Sequence, residues 1–145
     1  MSILTGDDRE AIREIIDSIG APVTVGDLQP DGTIRMFAVN RAAANFYGVP
    51  AAQIEGCSLD DLNLRPEGRT EVIKRRYRAC LETRESHQFR DFAPVDTVFG
   101  RRWVHFTMTP LIDDVGKTAR VMATFVDVTD LKLTEDLLAE TRTEA

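Results

Sequence analysis

The segment RRWVHFTMTPL, residues 101–111, contains the strongest strand pattern in the chain. Its apolar residues Val104, Phe106 and Met108 occupy every second position. Successive side chains of a β-strand point to opposite faces of the sheet, so these three share one face. The segment RVMATFVDV, residues 120–128, repeats the alternation. The two segments are therefore predicted to be neighbouring strands with one apolar face turned towards a protein core.

Three further strands are predicted upstream, over residues 23–25, 33–39 and 87–95. A turn at residues 29–32 joins the first two, because Pro30 presets φ and Gly32 accepts a positive φ. Pro94 interrupts the third, which predicts an edge position or a bend. Residues 113–116, DDVG, are predicted to form the hairpin turn between the last two strands.

Helical periodicity separates these strands. Helices are predicted over residues 7–19, 41–47, from Pro66 to about Leu81, and from residue 130 onwards, with short helical turns after Pro50 and at Ser58. Asn40 directly precedes the second helix and is expected to cap it, and Gly48 is expected to end it. The sequence therefore predicts an α+β fold, with a five-stranded antiparallel sheet and short helices on one face.

The first helix is amphipathic. One stripe consists of Ile12, Ile15, Ile16 and Ile19, with Asp7 as the expected cap and Gly20 just past the end. Such a stripe either covers the domain's own sheet or pairs with a second copy. Because Trp103 is expected on the outer sheet face, where an indole needs cover, we predict that this stripe and Trp103 contribute to a dimer interface.

Composition and charge exclude several classes of function. The 145 residues are 43% hydrophobic and 29% charged, which is typical of a globular domain, and the net charge of −6 predicts no binding to nucleic acid or membranes. The cluster KRRYR, residues 74–78, is interpreted as a solvated helix face. The sequence has no signal peptide and no apolar span, which predicts a cytoplasmic protein. Its two cysteines, Cys57 and Cys80, are then expected to be reduced, and their spacing predicts no metal site.

The order of elements and four short motifs resemble the PAS family. The motifs are VNRAAANFYG (39–48), AQIEGCSL (52–59), WVHFTMTPL (103–111) and DVTD (127–130). The resemblance covers residues 7–140 and divides the chain into a cap helix (1–20), a PAS core (21–129) and the start of a linker helix (130–145). It implies a bacterial homodimeric sensor that controls an effector outside this chain, such as a histidine kinase of a two-component system or a cyclic-di-GMP enzyme.

The resemblance also bears on cofactors. The positions where light-oxygen-voltage relatives carry their reactive cysteine and two amides fall at Leu59, Val104 and Phe125, all apolar, which argues against flavin. Haem-binding relatives often take a histidine ligand from the long helix, which here contains none; His87 would serve only if that helix extended further. A cofactor is therefore not expected, and the identity of any ligand stays open.

A ligand pocket, if there is one, would lie between the inner sheet face and the helices. Its predicted lining residues are Met36, Phe46, Ile54, Leu59, Tyr77, Val104, Phe106, Met108, Val121, Ala123 and Phe125. The same residues could simply fill a core, which would leave a ligand-free interaction and dimerisation module as the alternative function. Any ligand would be mostly apolar, because this set offers few polar groups.

Signal output is predicted at the junction of the last strand and the last helix. Asp127 and Thr129 can accept hydrogen bonds from free N–H groups of the first helical turn. Leu131 and Leu138, seven residues apart, can pair with a partner helix as a short coiled coil. Catalysis is not expected, since the sequence has no phosphate loop, nucleophile motif or paired histidines, and an isomerase-type cavity would need an inward carboxylate.

Overall fold

The computed structural model describes residues 3–62, 64, 68–93, 100–112 and 120–144. The strands are β1 (Val23–Leu28), β2 (Ile34–Val39), β3 (His87–Phe92), β4 (Trp103–Leu111) and β5 (Arg120–Asp127). The helices are α1 (Arg9–Asp17), α2 (Arg41–Tyr47), α3 (Ala51–Ile54), α4 (Arg69–Thr83) and α5 (Thr129–Glu144). Two short 3-10 helices span Ile3–Thr5 and Leu59–Leu62.

The five strands form one antiparallel sheet in the order β2-β1-β5-β4-β3. This architecture confirms the predicted α+β class. The weakest predicted strand, β3, lies at an edge as expected. Its predicted extension to Val95, the bend at Pro94, the turn at 113–116 and the helix start at Pro66 lie outside the described residues.

Alternation along the strands gives the sheet two distinct faces. The inner face, towards α2, α3 and α4, carries residues such as Met108, which is paired with Ala123 across β4 and β5. The outer face carries the intervening residues, among them Val25, which is paired with Met122. The alternation of residues 101–111 and 120–128 therefore predicted the correct faces.

The outer face is covered near β1 and β2 by α1. Ile12 and Ile16 are fully buried against Val23, Val25 and their neighbours, while Ile15 and Ile19 are partly buried. The expected dimer stripe is thus wrong for Ile12 and Ile16, because the domain's own sheet already removes these side chains from water. The expected caps are also shifted: Asp8, not Asp7, accepts the Ala11 N–H, and the helix ends before Ser18 rather than near Gly20.

Asn40 holds three elements together from a fully buried position. Its Oδ1 accepts the N–H groups of Ala43, as the predicted cap of α2, and of Val23 at the start of β1, both at 2.9 Å. Its Nδ2 donates to the carbonyls of Ile16 and Ala21, also at 2.9 Å. The amide therefore fixes the end of α1, the start of β1 and the start of α2 relative to one another.

The inner face packs against α4, the longest helix of the core. Tyr77 and Cys80 are buried there with Met36 and Met108. Tyr77 lies directly over Gly26, where an added Cβ would stand 2.5 Å from its hydroxyl oxygen. Glycine at this position therefore lets the tyrosine ring rest on the backbone of β1.

Replacing Asn40 by Ala removes all four of these hydrogen bonds and leaves the N–H groups of Val23 and Ala43 without their acceptor. We expect the free energy of unfolding to fall by about 2–4 kcal/mol, because buried polar groups without partners keep their full desolvation cost. Urea denaturation measures this change. Asn45→Ala, on an exposed position of the same helix, is the matched control and should change stability by less than about 0.5 kcal/mol. Equal effects of the two substitutions would contradict the role assigned to Asn40.

Candidate functional site

A cavity of about 440 Å³ lies between the inner sheet face and the helices. Eight of the predicted pocket residues line it: Met36, Ile54, Leu59, Tyr77, Phe106, Met108, Ala123 and Phe125. Three others do not. Val104 and Phe46 pack in the neighbouring core cluster around Phe125, and Val121 packs beneath Tyr77. The volume lies within the range of about 300–1,000 Å³ that is usual for small-molecule sites.

The cavity also has lining residues that sequence reasoning missed. They are Thr24, Tyr47, Val49, Gln53, Asp61, Leu62, Leu64, Arg69, Ile73 and Arg76. Gln53 and Asp61 are exposed, so the cavity opens to solvent beside them. Arg76 belongs to the cluster interpreted as a solvated helix face. That interpretation is wrong for Arg76, because its position in α4 places it one residue before the buried Tyr77 and turns it towards β3.

Two arginines form a polar end to the cavity. Arg69 Nη1 lies 3.3 Å from Asp91 Oδ1, and Arg76 Nη2 lies 3.1 Å from Asp91 Oδ2. Arg69 also donates from Nη2 to the carbonyl of Phe92 at 2.6 Å. One carboxylate on β3 is therefore shared by two guanidinium groups from α4.

Burial makes this polar end electrostatically unusual. The Arg69 side chain is only 5% exposed, and its buried Nε has no hydrogen-bond partner in the part of the chain that the structure describes. Desolvation lowers the pKa of Arg69, against the attraction of Asp91. Burial acts to raise the pKa of Asp91, but hydrogen bonds from the Phe92 N–H and from Arg76, with the charge of Arg69, bring that pKa below its usual value.

Aromatic rings close one side of the cavity around Phe125. The ring centroid of Phe125 lies 5.6 Å from those of Phe46 and Phe106 and 5.7 Å from that of Tyr47. Tyr77 is buried and Tyr47 is partly buried, and desolvation raises the pKa of both hydroxyls, so both are neutral at physiological pH. The cavity wall is thus mostly apolar, and its polar groups are uncharged hydroxyls, the two arginines, and Gln53 and Asp61 at the mouth.

The cysteine thiols and the histidine imidazoles are not part of the cavity lining. Neither Cys57 nor Cys80, nor either histidine, is among the lining residues. Helix α4 ends at Thr83, so His87 begins β3 and the suggested extension of the helix to include it is wrong. Burial raises the pKa of Cys80 to about 11, which keeps its thiol protonated. Within the described residues, no cluster of His, Cys, Asp and Glu is suited to a metal ion.

The junction between β5 and α5 is tied to the first residues of β4. Asp127 Oδ1 accepts the Thr129 N–H at 2.9 Å, as expected for a helix start, and Oδ2 accepts from Arg102 Nε at 2.7 Å. Thr129 Oγ1 instead accepts the backbone N–H of Trp103 at 2.8 Å. The cross-strand partners Arg102 and Trp103 could not be read from local sequence, because they come from 25 or more residues away.

Trp103 is not the uncovered indole that the dimer prediction assumed. Its ring is half-buried, packs edge-on against Phe92 at 4.7 Å, and lies 4.7 Å from the Lys132 ammonium. It also belongs to the β4 end beside α5, whereas the α1 isoleucines cover β1 and β2. The structure therefore does not bring Trp103 and the isoleucine stripe together on one surface.

Helix α5 leaves its leucines in solvent. Leu131 and Leu138 are 46% and 53% exposed, and Leu133 and Leu137, four residues apart, are 57% and 63% exposed. The helix contacts its own sheet through polar groups instead, with Lys132 on Trp103 and Glu135 within 3.5 Å of Arg90. No helix in the described part of the chain has the length and apolarity needed to cross a membrane.

Comparison with known proteins places this geometry in a family. The model of the PAS fold matches residues 16–133. Among solved structures, the PAS domain of Bordetella pertussis BvgS is 21% identical, with a TM-score of 0.56, and the match covers 92% of this chain and 96% of that one. A PAS domain from Colwellia psychrerythraea is 17% identical, with a TM-score of 0.64 and coverage of 83% and 97%.

A third structure is a phage VqmA solved as a complex with DPO. It is 25% identical, with a TM-score of 0.67, and the match covers 97% of this chain but 63% of the VqmA chain. No curated protein matches the sequence. The fold and its interior cavity define a sensor-type regulatory module. The chain belongs to the PAS family, which confirms the predicted resemblance.

Replacing Asp91 by Asn leaves Arg69 and Arg76 without their shared carboxylate. We expect the free energy of unfolding at pH 7 to fall by about 1–3 kcal/mol in urea denaturation. The pKa of Asp91 lies below its ordinary value of 3.8, so its stabilising charge is present above pH 3.8 and is lost as pH falls through the lower folded value. The difference between wild type and variant should therefore shrink below pH 3.8.

Asp60→Asn is the matched control. Asp60 pairs with Lys74 at 3.1 Å but is 56% exposed, so its loss should cost less than about 1 kcal/mol. A pH-independent effect of Asp91→Asn would show that the carboxylate charge does not stabilise the folded protein.

Proposed function

We propose that this PAS domain is a cytoplasmic sensor that binds a small, mostly apolar molecule in the 440 Å³ cavity and signals through α5. The cavity is the observation that supports the proposal. Its wall is built from the inner sheet face and from α3 and α4, and it opens beside Gln53 and Asp61. A volume of this size favours ligand binding over the alternative of a filled core, because packed protein interiors have few voids larger than a water molecule.

The similarity to VqmA supports the same proposal. The phage VqmA structure carries DPO, and this chain is 25% identical to it over 97% of its own length. Because the match covers only 63% of VqmA, this support extends to the domain and not to the whole VqmA protein. We take from it that a protein with a similar arrangement of strands and helices forms a complex with DPO.

Signal transmission is proposed to start on β5 and β4. Phe125 and Phe106 line the cavity. Asp127, two residues after Phe125, and Trp103, three residues before Phe106, both bond to Thr129 at the start of α5. A ligand that displaces the phenylalanine rings would move the points where α5 is attached. The effector is proposed to be a separate module, such as a histidine kinase or a cyclic-di-GMP enzyme, and the PAS domain itself is proposed to be non-catalytic.

A homodimer formed through α5 is the second part of the proposal. The four exposed leucines of α5 favour it, since pairing would remove their side chains from water. Dimerisation is also expected of the alternative function, a ligand-free interaction module. The two functions differ in whether the cavity accepts a ligand, and this can be measured directly.

A neutral fluorescent probe tests the cavity. We expect N-phenyl-1-naphthylamine to bind the purified domain with increased fluorescence, and Ala123→Phe to weaken this binding at least tenfold, because Ala123 lies on the cavity wall. Circular dichroism and a melting curve check that the variant folds. Native mass spectrometry of the wild-type protein should also reveal a bound small molecule carried through purification.

The control is Ala52→Phe, the same substitution on an exposed position of α3, which should leave probe binding unchanged. Absence of probe binding to the wild type, or equal binding by wild type and a folded Ala123→Phe variant, would contradict the ligand-binding function and leave the interaction module as the better account.

Paired replacement of Leu131 and Leu138 by Gln tests the dimer. We expect the dimer dissociation constant, measured by sedimentation equilibrium, to rise at least tenfold, because the substitutions remove the apolar contact between helices. Ile112→Gln, at another exposed apolar position outside α5 (41% exposed), should leave it unchanged. A monomeric wild type, or a dimer dissociation constant that the paired leucine substitution does not change, would rule out association through α5.

A further inference from the structure

Among the residues that the structure describes, the polar end of the cavity carries an unbalanced positive charge. Arg69 and Arg76 together bring two guanidinium groups to the wall, and both are paired with the single carboxylate of Asp91. Asp91 itself is not among the lining residues, and Asp61, the acidic residue in the described lining, is exposed near the mouth, where its Oδ2 accepts the Ser58 N–H. The cluster of Arg69, Arg76 and Asp91 therefore has one positive charge in excess.

This excess charge lies in an environment that stabilises it poorly. The Arg69 side chain is 5% exposed, that of Arg76 is 20% exposed, and the surrounding wall is largely apolar. A buried charge is costly unless a partner neutralises it. Arg69 also lacks a hydrogen bond, because its buried Nε–H has no acceptor among the described residues.

The neighbouring groups leave room for one anionic partner. The Arg76 guanidinium carbon lies over the Phe89 ring, 4.5 Å from its centre, and Arg69 donates a hydrogen bond to the Phe92 carbonyl. The Tyr47 hydroxyl is neutral, and Tyr47 lines the same cavity as Arg69. It makes no hydrogen bond within the described part of the structure, so it is a free donor. Two oriented guanidinium groups and a hydroxyl match the acceptor geometry of a carboxylate.

We propose that the ligand of this cavity is a small monocarboxylic acid, whose carboxylate binds Arg69 and Arg76 and whose apolar body contacts the phenylalanine and methionine side chains. This inference rests on the proposed ligand-binding function and specifies its ligand class. A single negative charge balances the cluster, whereas a phosphate dianion would leave a net negative charge in an apolar cavity. The apolar remainder of the wall favours an aromatic or aliphatic body over a sugar or an amino acid.

Matched acid and amide pairs test the proposal by displacement of N-phenyl-1-naphthylamine. The pairs are phenylacetate with phenylacetamide, 3-phenylpropionate with 3-phenylpropionamide, and indole-3-acetate with indole-3-acetamide. Within each pair, size and shape are nearly constant and only the charge differs. We expect at least one acid to displace the probe at a concentration at least tenfold lower than its amide at pH 7.

Arg76→Gln should remove this preference, raising the concentration of acid required at least tenfold and leaving that of the amide unchanged. Arg76 is chosen because Arg69 also holds the Phe92 carbonyl and its loss could unfold the domain. The matched control is Arg75→Gln, on the adjacent exposed position of α4, which should leave both compounds unaffected. Circular dichroism verifies that each variant folds.

The outcomes separate this inference from the proposed function. If the probe binds but the amides displace it as well as the acids, or no acid displaces it, the carboxylate assignment is wrong and the ligand-binding function stands. An acid preference that survives in a folded Arg76→Gln variant also overturns the assignment. If the probe does not bind the wild-type domain at all, the ligand-binding function itself fails, and the assignment fails with it.

Discussion

The buried amide of Asn40 is the interaction on which the arrangement of this domain depends. Its four hydrogen bonds join α1, β1 and α2 at one point. Because α1 is held there, Ile12 and Ile16 cover the outer face of β1 and β2, and because α2 starts there, Tyr47 reaches the aromatic cluster around Phe125. One residue therefore fixes both the position of α1 on the outer sheet face and the position of Tyr47 in the cavity wall.

Patterns that depend on neighbouring residues predicted most of this fold. Alternation in residues 101–111 and 120–128 gave the two faces of the sheet, and Asn40 before an apolar helix gave the α2 cap, because strand and cap geometry are local. The polar end of the cavity was missed for the opposite reason. The local sequence predicts an exposed helix residue at Arg76. Its partner Asp91 lies 15 residues later on an edge strand, and only the folded structure brings the two together. The same limit applies to Trp103, whose cover comes from Phe92 and Lys132.

The cavity and the output helix share two strands, which gives the proposed signal a short path. Phe125 faces the cavity, and two residues later Asp127 accepts hydrogen bonds from Arg102 and Thr129. Phe106 faces the cavity on β4, and three residues earlier the Trp103 backbone bonds to Thr129. Packed aromatic rings transmit displacement because the interior around them is dense. Movement of either ring is therefore expected at the helix attachment before it reaches any more distant element.

Beyond that attachment, α5 is held only weakly to its own domain. The Arg90–Glu135 pair is exposed on both sides and separated by 3.5 Å, and surface pairs of this kind contribute between about 0 and 1 kcal/mol. The Lys132–Trp103 contact is of similar strength. A helix whose direction is set at its first turn and hardly elsewhere can be redirected by a small difference in ligand affinity between two arrangements. The leucines of α5 are exposed, so a change in helix direction changes where their apolar surface points. In the proposed dimer, this would change how the two helices pack.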